Sequence, residues 1–395
     1  MSFLEKAEER RSLLIDLLLK FIAAKSLPGC EGEMAERVKE ALLKLGIDDI
    51  TVDPMGNVIG TIGKGEKHLV FDGHMDVVDA GDLKAWEVDP FRGEPIDGKI
   101  YGRGASDQKG GLASAIVALS LLKESGLPDD LRVSVVASVL EEPREGLAWR
   151  YIIEEDGIRP DFVVLTEPSS LRIMRGHLGR AEIEIEVRGR SAHGSMPEEG
   201  VNAIEKMVPI LEEVLKLRER LREHPVLGKG KLTVSEVRSE APSLCAVPDR
   251  AFIHIDRRLT LGEDEDAAVH ELRSLDAVRK AEALVRLVKD PIKSYTGLLY
   301  RKEPLYPPWL LEEDHPFLKA AKEAYRSVFN TEPVVDVWKF STNGVATAGL
   351  HKIPSLGLGP GDPSLAHAPM EFCPVDDLIK ATAFYAQLAI EVSAI

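Results

Sequence analysis

Three runs with the apolar character of buried strands, HLVFDG at 68–73, LRVSVVAS at 131–138 and DFVVLT at 161–166, each give way within a few residues to groups that bind cations. These groups are His74 and Asp76, then Glu141 and Glu142, then Glu167. Near-continuous apolar strands of this kind belong to parallel sheets covered on both faces, and such open α/β sheets collect their chemistry beyond the carboxyl ends of the strands. Two further clusters complete the set, Asp107 in the glycine-rich YGRGASDQKGG and His367 in Ala-His-Ala-Pro. The pattern predicts an α/β fold in which His74, Asp107, Glu142, Glu167 and His367 are ligands of a two-metal site.

The charges support that assignment. Two Zn²⁺ ions bring four positive charges. Asp107, Glu142 and Glu167 supply three negative charges and a bridging hydroxide the fourth, so neutral imidazoles complete a neutral buried core. Zinc suits this nitrogen and carboxylate donor set, with Co²⁺ or Mn²⁺ as alternatives. Metals about 3.5–4 Å apart clamp the attacking and leaving oxygens of a hydrolysis. Adjacent residues after a strand cannot both point at one spot, so Glu142 is predicted as ligand and Glu141 as general base, then general acid. Asp76, two residues beyond His74, is placed to accept that ring's other N–H. Ser341, Thr342 and Asn343, in FSTNGVATAG, either cap a helix or present donors to a substrate carboxylate.

A chain of 395 residues favours two domains. Helical and strand signals alternate from 1 to 177 and resume over 293–395, leaving 178–292 as an insertion. Within the insertion the order is AEIEIEVRG, a helix near NAIEKMVPILEEVLKLRERL, the strands KLTVSEVRS and RAFIHIDRRL, a helix at GEDEDAAVHELRSL and a last strand near ALVRLVK. That order is ferredoxin-like, and its period-two alternation predicts an antiparallel sheet with one solvated face. Lys plus Arg number 50 against 66 Asp plus Glu, a formal charge of -16, which argues against nucleic acid or an anionic membrane as partner. Cys30, Cys245 and Cys373 lack metal-type spacing, and a reduced, cytoplasmic setting is the simpler expectation. The first 26 residues read as one amphipathic helix, neither signal peptide nor membrane span.

GHMDVVDAGD, YGRGASDQKGG, the Glu141-Glu142 pair, TEPSS, GRSAHGSMPEEGVNAI and AHAPMEFCPVDD, in this order, resemble the dinuclear zinc metallopeptidase family of acetylornithine deacetylase, succinyl-diaminopimelate desuccinylase and carboxypeptidase G. SLCAVPD and FSTNGVAT bring the chain nearest to the branch called selenium-metabolism-linked hydrolases. The resemblance implies a zinc-peptidase catalytic domain carrying an inserted ferredoxin-like lid and dimerisation domain. It implies that Asp107 bridges both metals and precedes a cis peptide bond to Gln108. It further implies that His193 reaches the metal site of the other subunit of a homodimer, acting on the scissile carbonyl or the oxyanion. Arg258 matches a lid arginine that contacts a substrate carboxylate, with Asn343 and His177 as the other substrate-side candidates. His177 stands where the family commonly has arginine, and Cys245 where asparagine is frequent. The expected activity is hydrolysis of an amide bond in an N-acyl, N-carbamoyl or peptidyl amino acid through a metal-bridging hydroxide. The rivals are a dinuclear phosphoesterase, which needs a basic clamp for phosphate, and a non-catalytic peptide-binding protein on the same fold.

Overall fold

The apolar runs become the middle of a nine-stranded sheet in the computed structural model, which describes residues 1–289 and 291–395. Its strands run in the order Asp49–Val52, Val58–Gly63, Leu131–Ser138, Lys67–His74, Phe162–Leu165, Ser355–Gly357, Ile173–His177 and Trp309–Leu310, with Val335–Trp338 also pairing Ile173–His177. Lys67–His74 lies parallel to Leu131–Ser138 on one side and to Phe162–Leu165 on the other, and Phe162–Leu165 is parallel to Ser355–Gly357. His74 is in register with Ser138, and Gly357 with Leu165. The carboxyl ends of these four strands therefore open at one edge, where Glu141, Glu142, Glu167 and the 358–367 loop follow.

The helix Gly110–Ser125 is buried along its whole length from Gly110 to Leu122, as its near-continuous apolar sequence requires. It is sandwiched between the sheet and the helices Arg11–Ile22 and Val375–Ser393. Its entry is tight: a Cβ on Gly111 would lie 2.1 Å from the Thr166 carbonyl oxygen, so only glycine lets this helix start against the end of the neighbouring strand. The amino-terminal segment differs from the single helix read in the sequence. It forms two helices, Phe3–Glu9 and Arg11–Ile22, divided at Arg10, the first closed by a Ser2–Glu5 capping box.

A second sheet has the order Lys231–Glu240, Arg250–Leu259, Gly179–Arg188, Leu284–Leu287, antiparallel throughout. With the helices Ala203–Leu217, Glu265–Arg273 and Asp276–Ala281 it makes the predicted strand-helix-strand-strand-helix-strand unit. Its second helix is broken near Leu275, and a short hairpin, Glu223–His224 with Gly228–Lys229, precedes its second strand. Ile183, Ile185 and Val187 alternate inward with Ile253 and Ile255 onto Met207, Ile210 and Val214 of the first helix. This core is separate from the larger one, which draws on residues 7–174 and 309–392.

Candidate metal centre

The five predicted ligands converge. His74, the last residue of its strand, is 1% exposed and directs Nε2 to Asp107 Oδ1 at 3.1 Å, with Glu141 Oε2 and Glu167 Oε1 each at 3.8 Å. From the other side His367 Nε2 lies 2.9 Å from Glu142 Oε2 and 3.5 Å from Asp107 Oδ2. Asp107 thus turns one oxygen to each histidine. Ligand atoms of His74, Glu141 and Glu167, and separately of His74, Asp107 and Glu142, fall within 4.8 Å of one another. Glu141 is therefore as close to the cluster as the predicted ligands are, and geometry alone does not set it apart from them.

The support around these groups differs in one respect from the sequence reading. The spacing predicts that the Asp76 carboxylate takes the second N–H of His74. In the structure His74 Nδ1–H donates to the Asp76 main-chain oxygen at 2.8 Å, and the carboxylate is 3.6 Å away. The Asp76 carboxylate instead accepts the Glu141 N–H (3.1 Å) and the Glu142 N–H (3.0 Å), fixing the turn that aims both glutamates. These two buried amides would otherwise lack a partner, which gives the carboxylate the stronger claim there.

Asp107 sits on a loop held from below by a residue the sequence reading did not single out. Glu371 is fully buried; its Oε1 accepts the Ser106 and Asp107 N–H groups at 2.8 and 2.9 Å, and its Oε2 accepts Gly104 N–H and the Arg103 guanidinium. The Asp107-Gln108 peptide bond is cis, as the resemblance implies. Gln108 Oε1 accepts the Thr166 hydroxyl at 2.7 Å, tying this loop to the strand end that carries Glu167. No local signal in AHAPMEFCPVDD distinguishes Glu371 from a surface acid; its role exists only once the chain has folded back on the Asp107 loop.

A divalent cation pair fits this donor set. Among the described residues, the positive groups within ion-pair distance of Asp107, Glu141, Glu142 and Glu167 are the imidazoles of His74 and His367, not Lys or Arg. Burial pushes the Glu141 and Glu167 carboxyls well above the usual carboxylate range, and neighbouring acids add to the rise while His74 opposes it. Burial also disfavours a charged His74, but the fields of Glu141, Asp107, Glu167 and Asp76 outweigh it and hold its pKa well above the ordinary value. Among the described residues none offers a hydrogen bond to the buried Glu142 Oε1. Buried acids in this excess, with an orphaned oxygen among them, call for positive charge that the protein itself does not supply.

Above the cluster a cleft of about 190 Å³ is lined by Arg180, Arg258, Glu145, Phe340 and Ser341 as well as by the acids and His367. Arg258 pairs with Asp256 and donates to Ser341 Oγ (3.3 Å); Ser341 donates to Glu145 Oε1 (2.7 Å), and Glu145 pairs with Arg180 at 2.7 Å. Arg258 thus lines the cleft, beside Arg180 and Glu145, which the sequence reading did not single out. Asn343 and His177 do not face it. The Asn343 amide is buried and spent on Asp72, Ser138 and the Gly146 N–H. His177 is buried beside Trp309, donates from Nδ1 to the Leu178 oxygen and accepts the Thr342 N–H at Nε2. Burial holds its pKa down to about 3, so it is a neutral brace for the 341–344 loop and offers a carboxylate no charge. His193 lies exposed on the second sheet's loops with Nδ1 against Ser195 Oγ (2.7 Å), away from the cluster residues of its own chain, and its segment bridges to Ala246 beside Cys245.

Residues 70–391 match the peptidase family M20/M25/M40. The Escherichia coli K12 protein YgeY, itself uncharacterised, is 46% identical over 98% of this chain and 96% of its own length. The acetylornithine deacetylase of Proteus mirabilis is 29% identical over 91% of each chain. The crystal structure of Sso-CP2, an M20 family metallo-carboxypeptidase from Sulfolobus solfataricus, superposes with a TM-score of 0.76 at 20% identity, covering 97% of this chain and 99% of that one. The chain therefore belongs to the M20/M25/M40 peptidase family of metal-dependent hydrolases, whose members include peptidases and deacylases.

Proposed function

We propose that this chain hydrolyses an amide bond of an N-acyl, N-carbamoyl or peptidyl amino acid at a pair of divalent cations, Zn²⁺ with Co²⁺ or Mn²⁺ as alternatives. The observation that carries the reading is Asp107, which turns Oδ1 to His74 and Oδ2 to His367. His74, Asp107 and Glu167 would hold one ion, and Asp107, Glu142 and His367 the other. When bound, the ions supply Lewis acidity toward a carbonyl and lower the pKa of water. Glu141 Oε2 takes the proton released by the attacking water and carries it to the leaving nitrogen. Burial raises the affinity of the Glu141 carboxyl for protons, and cations held beside it would act in the opposite direction. Arg258 and Ser341 are positioned for a substrate carboxylate, in keeping with relatives named as a deacetylase and a metallo-carboxypeptidase.

Metal-stripped protein reloaded with Zn²⁺, Co²⁺ or Mn²⁺ and assayed on acyl, carbamoyl and peptidyl amino acids, with nitrophenyl phosphate alongside, is expected to give its highest kcat/KM on an amide. Turnover confined to the phosphate ester, or binding without turnover, would replace this reading with one of its rivals.

The same reading makes 178–292 a lid and dimerisation domain between the catalytic segments 1–177 and 293–395. The helix Ala203–Leu217 carries an outward apolar stripe, with Ile204 44%, Val208 51% and Leu215 40% exposed. In the same domain Lys231–Glu240 is an edge strand, and edges and apolar stripes of this kind suit pairing with a second copy around a two-fold axis. His193 would then act in the partner's site. Mixing His193→Ala with Glu141→Ala subunits is expected to restore about a quarter of the wild-type activity, the statistical share of intact sites in a two-fold dimer. No recovery after confirmed subunit exchange would confine His193 to its own chain. The described helices include none long and apolar enough to cross a membrane, and the free cysteines, two of them exposed, suit a reducing compartment such as the cytoplasm.

A further inference from the structure

The two halves of the cluster are anchored by different means. His74 ends a strand paired on both sides, and its Nδ1 is fixed by the Asp76 oxygen. Glu167 follows Thr166, whose N–H donates to the Asp72 oxygen at 2.9 Å. The sheet itself therefore places these two ligands. His367 has no such frame: its side chain is 56% exposed, its φ is +63°, and it lies on the loop between the turn Pro363–Leu365 and the strand Phe372–Pro374.

One buried ion pair joins this loop to Asp107. Arg103 and Glu371 are 1% and 0% exposed, and Arg103 Nη1 donates to Glu371 Oε2 at 2.6 Å. Arg103 Nη2 reaches the His367 carbonyl oxygen at 3.3 Å, while Glu371 receives the Asp107, Ser106 and Gly104 N–H groups. A strand pairing, Phe372–Pro374 with Lys99–Tyr101, brings the two segments alongside, and Trp86 lies over the guanidinium at 5.3 Å.

We infer that the Arg103–Glu371 pair is a clamp that sets the metal affinity of the Asp107, Glu142 and His367 half of the site and leaves the His74 half nearly unchanged. The inference rests on the two-metal reading above. Ligands already held in place bind without a further ordering cost, so releasing the clamp penalises the half whose ligands depend on it. Asp107 serves both halves, but in the His74 half it works beside two sheet-anchored ligands. Arg103 and Glu371 are positioning residues; neither is placed to touch substrate.

The test is equilibrium titration of metal-stripped full-length protein with Zn²⁺, read by calorimetry and by metal content after dialysis at fixed free Zn²⁺. Glu371→Gln and Arg103→Lys are compared with wild type. Because Glu371→Gln leaves the buried Arg103 charge unpaired, the double variant Arg103→Met with Glu371→Gln, which removes both charges, decides the outcome if a single variant fails to fold. Wild type is expected to hold two ions, and the variants one with unchanged affinity and one weaker by about 10- to 100-fold. In a His367→Ala background, Glu371→Gln should leave the remaining ion's affinity unaltered. Equal weakening of both ions, or of neither, overturns the clamp. A wild-type chain that takes up fewer than two ions overturns the two-metal reading itself, and the clamp with it.

Discussion

Glutamates of the two sheets meet opposite fates. In the inserted sheet Glu184 pairs with Arg238 and Arg286, and Glu186 with Arg188 and Arg250, so each acid is matched by arginines from its own strand or from other strands of the sheet. Arg238 and Arg250 also lie over the Phe252 ring. At the ends of the parallel sheet, Glu141, Glu142 and Glu167 are likewise largely withdrawn from solvent, yet their nearest positive partners are imidazoles. The difference teaches that acidity alone is no mark of a metal site. What marks it is a set of buried acids that the chain leaves without the cations it freely supplies elsewhere.

The sharpest break of this comparison is at Glu141, the one acid of the cluster assigned to proton transfer and not to a metal. Glu141→Gln keeps its size and removes its charge. The expected outcome is a loss of about 10²–10⁴ in kcat with both ions retained by metal analysis. Loss of an ion instead would make Glu141 a ligand, as its place beside His74 and Glu167 also permits.

The contrast between the sheets was legible in the sequence to different depths. Near-continuous apolar runs announced the parallel strands, and alternation in AEIEIEVRG announced the half-solvated sheet, because each pattern states which faces are buried. The ligand candidates were legible because each strand-borne acid or histidine stands just past such a run. Direction was not. Asn343 and Arg258 are both polar residues beside the cleft, but Asn343 turns inward to Asp72 while Arg258 reaches Ser341. The choice depends on partners far away in sequence, 83 residues for Arg258 and 271 for Asn343, as it does for Glu371 under Asp107. His177 shows the same limit: a strand-end histidine resembles a site residue until Thr342 and Leu178 are seen to take both ring nitrogens.

His177 also gives the comparison a pH dependence. It closes the last residue of a catalytic strand, two before the inserted sheet begins at Gly179. Its folded pKa, held down to about 3 chiefly by burial, lies below the ordinary 6.5, so between those values the unfolded chain binds the extra proton. The stabilisation is present above pH 6.5 and is lost as pH falls toward 3. From pH 7 to pH 5 this group is expected to account for a loss of about 2 kcal/mol in unfolding free energy. His68, held to about 4 by burial and Arg132, adds a loss of the same sign. Urea unfolding of wild type and His177→Gln at both pH values should show a shallower decline in the variant. An unchanged slope would mean that this imidazole is not buried neutral.

The smallest effect is expected on the inserted sheet, and its smallness is the informative part. Glu184 is 13% exposed but its partners Arg238 and Arg286 are 40% and 55% exposed, so solvent screens the pairs. Glu184→Gln should cost at most about 1 kcal/mol in unfolding free energy, less at high salt, and should leave both metal affinities as they are. The corresponding change at Glu142 removes a ligand. Its carboxylate has His367 on one oxygen and, among the described residues, no hydrogen-bond partner on the other, so loss of its charge leaves one metal without an anionic donor besides the shared Asp107. Metal uptake should therefore drop for Glu142→Gln, while in metal-free protein the substitution weakens only the contact with the half-exposed His367. Glu184→Gln does the reverse, touching stability slightly and uptake not at all. If the two substitutions behaved alike in both measurements, the distinction between acids matched by arginine and acids left for metal would have no energetic content.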